Sequence, residues 1–144
     1  MDFRRRRSEE LSDARVLLVE EEADLLEWMT SVLSPYRPTP CRSANRALAL
    51  LDSGMRFDML VTAYRMLEMT GCQLHQLIAR VDFMLARNAL LIVAGVLSPE
   101  DERYVDFSRL RVMYQPFRGE RLHEEAHALA TRAALSALGT ISSG

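Results

Sequence analysis

Lysine is absent from the 144-residue chain: all 18 basic residues are arginine, so no step that needs a lysine amine is open to it. Only two cysteines occur, Cys41 and Cys72. They are far apart and show no CxxC or Cys/His spacing, which excludes a disulfide framework and a zinc knuckle and leaves them as ordinary thiols. Long hydrophobic runs are also missing. The longest, Ala89 to Leu97, includes a glycine and falls far short of the roughly 20 residues that span a bilayer. The arginine-rich N-terminus leads into Ser8-Glu9-Glu10 rather than an apolar signal core. The expectation is a cytoplasmic protein with no membrane insertion. A net charge of −2 gives no global pull toward nucleic acid or an anionic surface, so nucleic acid is not an expected partner.

What is present fits one soluble domain. The length suits a single core, and 49% hydrophobic with 26% charged residues excludes disordered and collagen-like classes. Residues 1–13 carry Arg4-Arg5-Arg6-Arg7 with too little apolar content to pack, and read as a flexible arm. Residues 139–144 are small and polar and read as a flexible tail. The domain proper is expected over 14–138.

Within it, short apolar runs alternate with stretches of helical period. Arg15 to Val19 is a strand candidate, followed by Leu25, Leu26, Met29, Val32 and Leu33 on one helical stripe. Tyr36 to Cys41 reads as a second strand, confined to a sheet edge because Pro38 and Pro40 lack ladder donors. Ser43 caps a second helix with Ala44, Ala47, Leu48 and Leu51 inward, stopped at Asp52-Ser53-Gly54. Met59 to Ala63 is a third strand, and after Gly71 a third helix presents Leu74, Leu77 and Ile78, with His75 expected at the surface. Ala89 to Ala94 is apolar on both faces and predicts a central strand. Ser98-Pro99-Glu100-Asp101 starts a fourth helix, with a cap, a proline at the first position and acids in the first turn. Val112 to Gln115 is the fifth strand, and a last helix from about Gly119 to Leu138 turns Leu122, Ala126, Leu129 and Ala133 inward. Five strand–helix alternations argue an α/β domain with a parallel sheet covered on both faces. Ligand sites in such folds lie at the carboxyl ends of strands, here Glu20-Glu21-Glu22, Ala63, Ala94 and Gln115.

From Ala14 to Leu138 the chain resembles a response-regulator receiver, the CheY-like phosphoacceptor domain of two-component signalling. VLLVEEEADLLEWM is similar to the family's first strand, acidic pair and first helix. FDMLVTAYRMLEMTG is similar to its third strand, acceptor site and loop, LLIVAGVLSPED to its fourth strand, and VMYQPF to its fifth strand with the Lys-Pro-Phe signature. The resemblance implies a flavodoxin-like (βα)5 doubly wound sheet with strand order 2-1-3-4-5. It also implies where phosphoryl chemistry would sit, and there the side chains differ. The acidic pair stands as Glu20 and Glu21, the acceptor position is Ala63, the hydroxyl position Ala94 and the lysine position Gln115. An alanine offers no nucleophile, and glutamine cannot offset phosphate charge. Thr62 should face away from Glu20, since adjacent strand residues point to opposite faces. Gln115-Pro116 corresponds to the family's often cis Lys-Pro bond. The family's switch aromatic falls at Val112, and Tyr114, beside Gln115, reads as out of step with it.

The resemblance therefore implies a degenerate pseudo-receiver that is not an enzyme and uses no cofactor. Glu20 and Glu21 remain weak candidates for a hard cation. His123-Glu124-Glu125-Ala126-His127 matches HExxH, two histidines one turn apart, but without a third ligand or a cleft it predicts adventitious metal binding rather than a protease. With no output domain read in the chain, the expected role is a stand-alone, phosphorylation-independent regulator acting on another signalling protein. Candidate partner contacts are Tyr64, Met66, Leu67, Met69, Val96 and Leu97, methionine suiting an adaptable surface. A possible homodimer would use the fourth helix, fifth strand and fifth helix through Arg103, Tyr104, Asp106, Arg109, Arg111, Arg118, Glu120 and Glu124, where mixed charges can pair across a two-fold axis. The alternatives are a small-molecule sensor using the vacated pocket and a nucleic-acid regulator using the arginine arm, the latter with steep salt dependence.

Overall fold

The structure, a computed structural model, describes residues 13–142. Five strands, β1 (Val16–Val19), β2 (Thr39–Cys41), β3 (Met59–Ala63), β4 (Ala89–Val93) and β5 (Arg111–Tyr114), form one sheet in the order β2-β1-β3-β4-β5. Every neighbouring pair is parallel. Six helices connect and extend them: α1 (Ala23–Val32), α2 (Ala44–Asp52), α3 (Gly71–Val81), α4 (Phe83–Ala86), α5 (Pro99–Ser108) and α6 (Gly119–Ser142). The flavodoxin-like, doubly wound α/β fold with strand order 2-1-3-4-5 is thus the fold of the chain.

Strand alternation sorts the apolar residues into two cores. Val16, Leu18, Val61, Leu90 and Ile92 face α1 and α6, meeting Leu26, Met29, Leu122, Ala126 and Leu129. Leu17, Val19, Leu60, Leu91 and Val93 face the other side, meeting Ala44, Ala47, Leu74, Ile78 and Leu85. β4 is buried along its whole length, as its two-sided apolar pattern requires. Full burial of each such leucine contributes about 1.5–3 kcal/mol, so the sheet is the stable platform on which the strand ends are held.

The caps read from sequence are made. The Ser43 hydroxyl accepts from Arg46 N at 3.0 Å and the Ser98 hydroxyl from Asp101 N at 3.1 Å. Gly71 lies close enough to β3 that a Cβ there would fall within 3.0 Å of the Ala63 carbonyl oxygen and of Leu91 Cδ1, so only glycine fits this approach.

Five details depart from the sequence reading. Tyr36 is not in β2 but ends a 3-10 turn, Ser34–Tyr36, because Pro35 favours the turn and prolines at 38 and 40 shorten the ladder. The helix α4 was not expected; Asp82 caps it by accepting from Leu85 N at 3.0 Å. On α3, Leu77 is partly exposed at the rim while His75 is buried, its two ring nitrogens both satisfied within the fold. On α6, Ala130 is fully packed where Ala133 was expected. That helix also continues past Leu138 to Ser142, since one glycine after an alanine-rich turn costs only about 1 kcal/mol and does not stop a helix. Of the terminal segments, 1–12 and 143–144 lie outside the described residues, and Asp13 is exposed and pairs with Arg37 at 3.4 Å. No helix among the described residues is long and apolar enough to cross a membrane.

Candidate functional site

The carboxyl ends of β1 and β3 are closed by the chain's own contacts. Glu20 and Ala63 follow the paired residues Val19 and Thr62, so they emerge side by side on one face of the sheet. Thr62 lies on the opposite face, fully buried, its hydroxyl donating to the Ala63 carbonyl at 3.1 Å. Glu20 is itself buried and accepts from Glu22 N at 3.1 Å. Burial pushes its carboxyl above the usual range, partly countered by backbone hydrogen bonds from Glu22 and Glu21. Glu21 accepts from Leu67 N at 2.6 Å, fastening the loop after β3 to the end of β1. Glu22 is the N-cap of α1, accepting from Asp24 N at 3.1 Å and Leu25 N at 2.7 Å. A hard cation needs several free oxygen ligands. Here the carboxylates serve backbone amides and a methyl group, Ala63, stands where a further ligand would be, so these residues do not fit a magnesium site. Among the described residues no group of three or more His, Cys, Asp and Glu could hold a metal ion.

The ends of β4 and β5 are open. Ala94 is exposed, Gly95 adopts φ 90°, and Gln115-Pro116 is a cis peptide. With Leu25, Trp28 and Phe117 they line a depression of about 460 Å³. Trp28 and Phe117 approach to 5.6 Å between ring centroids, tilted by 39°. The polar groups among these side chains are the Gln115 amide and the Trp28 indole N–H. Trp28 was not singled out from sequence, although its place just off the Leu25, Leu26, Met29 stripe of α1 marks the rim of the buried face.

The expected partner contacts divide. Leu67 is 94% exposed and Val96 75% exposed. Met66 and Met69 are half-buried against the core. Tyr64 and Leu97 are buried and cannot serve as surface contacts as they stand. The Tyr64 hydroxyl donates to Asp101 Oδ2 and accepts from Ser98 N at 3.3 Å, so an aromatic expected at the surface instead ties the loop after β3 to the start of α5.

A second polar cluster lies beside it. His75 Nε2–H donates to the Ala86 carbonyl at 2.7 Å, so Nδ1 carries the lone pair and accepts from the Tyr104 hydroxyl at 2.5 Å. Burial holds the imidazole below its ordinary value. The same burial pushes the Cys72 thiol up to about 12, with the Asp101 carboxylate adding to the effect, and Tyr104 up to about 12. Both cysteines are free and buried.

On the face formed by α5, β5 and α6, Arg103, Asp106, Arg109, Arg118, Glu120 and Glu124 are exposed. Two expected members are otherwise engaged: Tyr104 with His75, and Arg111 in an ion pair with buried Glu125. Phe107, 90% exposed, belongs to this helix too. It stands apart from half-buried Tyr104 and Val105, and that phase was its only signal. Val112 and Tyr114, two residues apart, share a face of β5 opposite the buried Met113. Tyr114 is therefore in step with Val112, correcting the sequence reading, and lies partly exposed at the strand's end.

No family model matches the sequence, and no curated protein matches it. Solved structures do. A CheY-like response-regulator receiver domain from Methanospirillum hungatei superposes with a TM-score of 0.76 at 15% identity, covering 85% of this chain and 98% of that one. The signal receiver domain of a Vibrio parahaemolyticus protein described as a LuxO repressor gives 0.76 at 18%, covering 87% and 95%. A response-regulator receiver protein from Sinorhizobium medicae gives 0.73 at 21%, covering 85% and 98%. These three neighbours are receiver domains or receiver proteins, and at these identities the likeness is one of fold.

Proposed function

We propose that the chain is a phosphorylation-independent, receiver-like module acting in signal transduction through contact with another protein, and that it is not an enzyme. The carrying observation is the closed end of β1 and β3. Ala63 has no oxygen to take a phosphoryl group, Glu20 and Glu21 are hydrogen-bonded to backbone amides, and Ala94 and Gln115 supply neither hydroxyl nor cation at the neighbouring ends. Phosphoryl transfer relies on positioning and charge neutralisation by just such groups. What remains for function is surface: Leu67 and Val96 above the strand ends, and the mixed-charge face of α5, β5 and α6 with Phe107, which is also the surface for a homodimer.

Intact mass after incubation with a small acyl-phosphate donor and Mg²⁺, beside a conventional receiver as control, tests this reading. No added phosphoryl mass is expected. A stoichiometric phosphoryl adduct overturns it.

A second reading, a small-molecule sensor, is favoured by one observation: the open depression between Trp28, Phe117 and Gln115 has a volume typical of ligand sites. A ligand there would raise the melting temperature, and Gln115→Ala would reduce that rise.

A further inference from the structure

His123 and His127 are exposed one turn apart on α6, so their side chains share a face. What distinguishes them from two ordinary surface histidines is Tyr36. This ring is buried in the core between α1 and α6 and held in the 3-10 turn Ser34–Tyr36. Its hydroxyl lies 3.2 Å from His127 Nδ1. Its ring centroid lies 5.9 Å from that of His123, at 45°. One buried phenol thus contacts both imidazoles.

We propose that His123 and His127, oriented by Tyr36, form a binding site for a divalent transition-metal ion of the zinc, nickel or copper class. Imidazole nitrogen suits these ions, whereas magnesium and calcium select oxygen. A histidine that ligates through Nε2 carries its proton on Nδ1 and donates it to a neighbouring acceptor, which fixes the ring and raises its basicity. The Tyr36 oxygen stands where that acceptor is needed for His127.

The site is not that of a metalloprotease. Glu124, the residue a protease would use as base, is exposed and lies 3.8 Å from Arg121. Glu125 is buried and paired with Arg111 and Arg121. With no third protein ligand among the described residues, the remaining coordination positions fall to water or to a donor from another molecule.

The test is calorimetric titration of the tag-free full chain with Zn²⁺ and, separately, Ni²⁺, alongside His123→Ala, His127→Ala and Tyr36→Phe. One equivalent per chain is expected. Each histidine variant should weaken binding at least 10-fold, circular dichroism checking that the loss of its contact with Tyr36 leaves the domain folded, and Tyr36→Phe should weaken it roughly 10-fold, as loss of an orienting partner does. Circular dichroism checks that Tyr36→Phe remains folded; if it does not, the two histidine variants decide alone. Absence of binding, or binding that both histidine variants leave unchanged, overturns the site. Binding lost in the histidine variants but unchanged in a folded Tyr36→Phe overturns the role given to Tyr36.

Discussion

Helices α5 and α6 flank the same strand, β5, yet they are attached by different physics. α6 buries Leu122, Ala126, Leu129 and Ala130 and is held by apolar area. α5 buries no residue completely. Tyr104 and Val105 are only half-buried against the core, and the helix is otherwise secured by polar contacts: Tyr64 to Asp101 and Ser98, and Tyr104 to His75. Apolar attachment is non-directional and fails gradually as atoms are removed. Hydrogen-bonded attachment is directional, so one lost hydroxyl can release an element without emptying a core. Of the two helices, α5 is therefore the one expected to open first when a single contact is removed.

The sharpest break of this contrast is Leu129→Ala. Truncating that fully buried side chain on α6 should cost about 2–5 kcal/mol, read as a lower urea midpoint for the whole domain. Tyr64→Phe comes next. It removes a hydroxyl bonded to a carboxylate, a change of about 1.5–3 kcal/mol, and hydrogen exchange should accelerate in α5 first while α6 amides stay protected. If α5 and α6 amides lose protection together, the two helices are not independently attached and the contrast is wrong.

The smallest effect is in pH. Burial lowers the His75 value from 6.5, so above about 6.5 the ring is neutral in both folded and unfolded chains and its contribution is complete. As pH falls below 6.5 toward the lowered folded value, the unfolded chain takes up the proton more readily and stability declines. His75→Gln should flatten that decline. Glu20 has the opposite sign: its carboxyl is raised from 4.5, so stability is lost as pH rises from 4.5 through the raised value. Glu20→Gln should therefore be slightly more stable than the parent at pH 7, with the gain shrinking toward pH 4.5. A denaturation series from pH 4.5 to 7.5 measures both.

The sheet and its order were legible because the signals are local and redundant: two-sided apolar runs such as Ala89–Val93, caps at Ser43 and Ser98, and a glycine at 71 whose hydrogen only the structure explains. The strand-end residues were legible as identities but not as contacts. Nothing in a linear pattern says that the Glu21 carboxylate reaches Leu67 N, or that Tyr64 turns inward to a residue 37 positions away. His75 shows the limit most clearly. A histidine between two leucine-bearing turns reads as a rim residue, and only the distant Tyr104 and the Ala86 carbonyl make its burial tolerable. Asn88 is a partial counterexample: its amide donates to the Asp58 and Leu129 carbonyls at 2.8 Å each, yet Oδ1 has no partner among the described residues.

The short strand β2 has a further consequence for association. Cys41 turns its carbonyl inward to Glu20 N at 3.0 Å, so the intervening residue, Pro40, directs its backbone outward, and it has no N–H to offer. The middle of this margin therefore lacks the donor that another chain's strand would need for edge-to-edge growth. For copies of the protein that meet along that flank, the missing donor disfavours extending the sheet and leaves side-chain contacts as the favoured means of assembly.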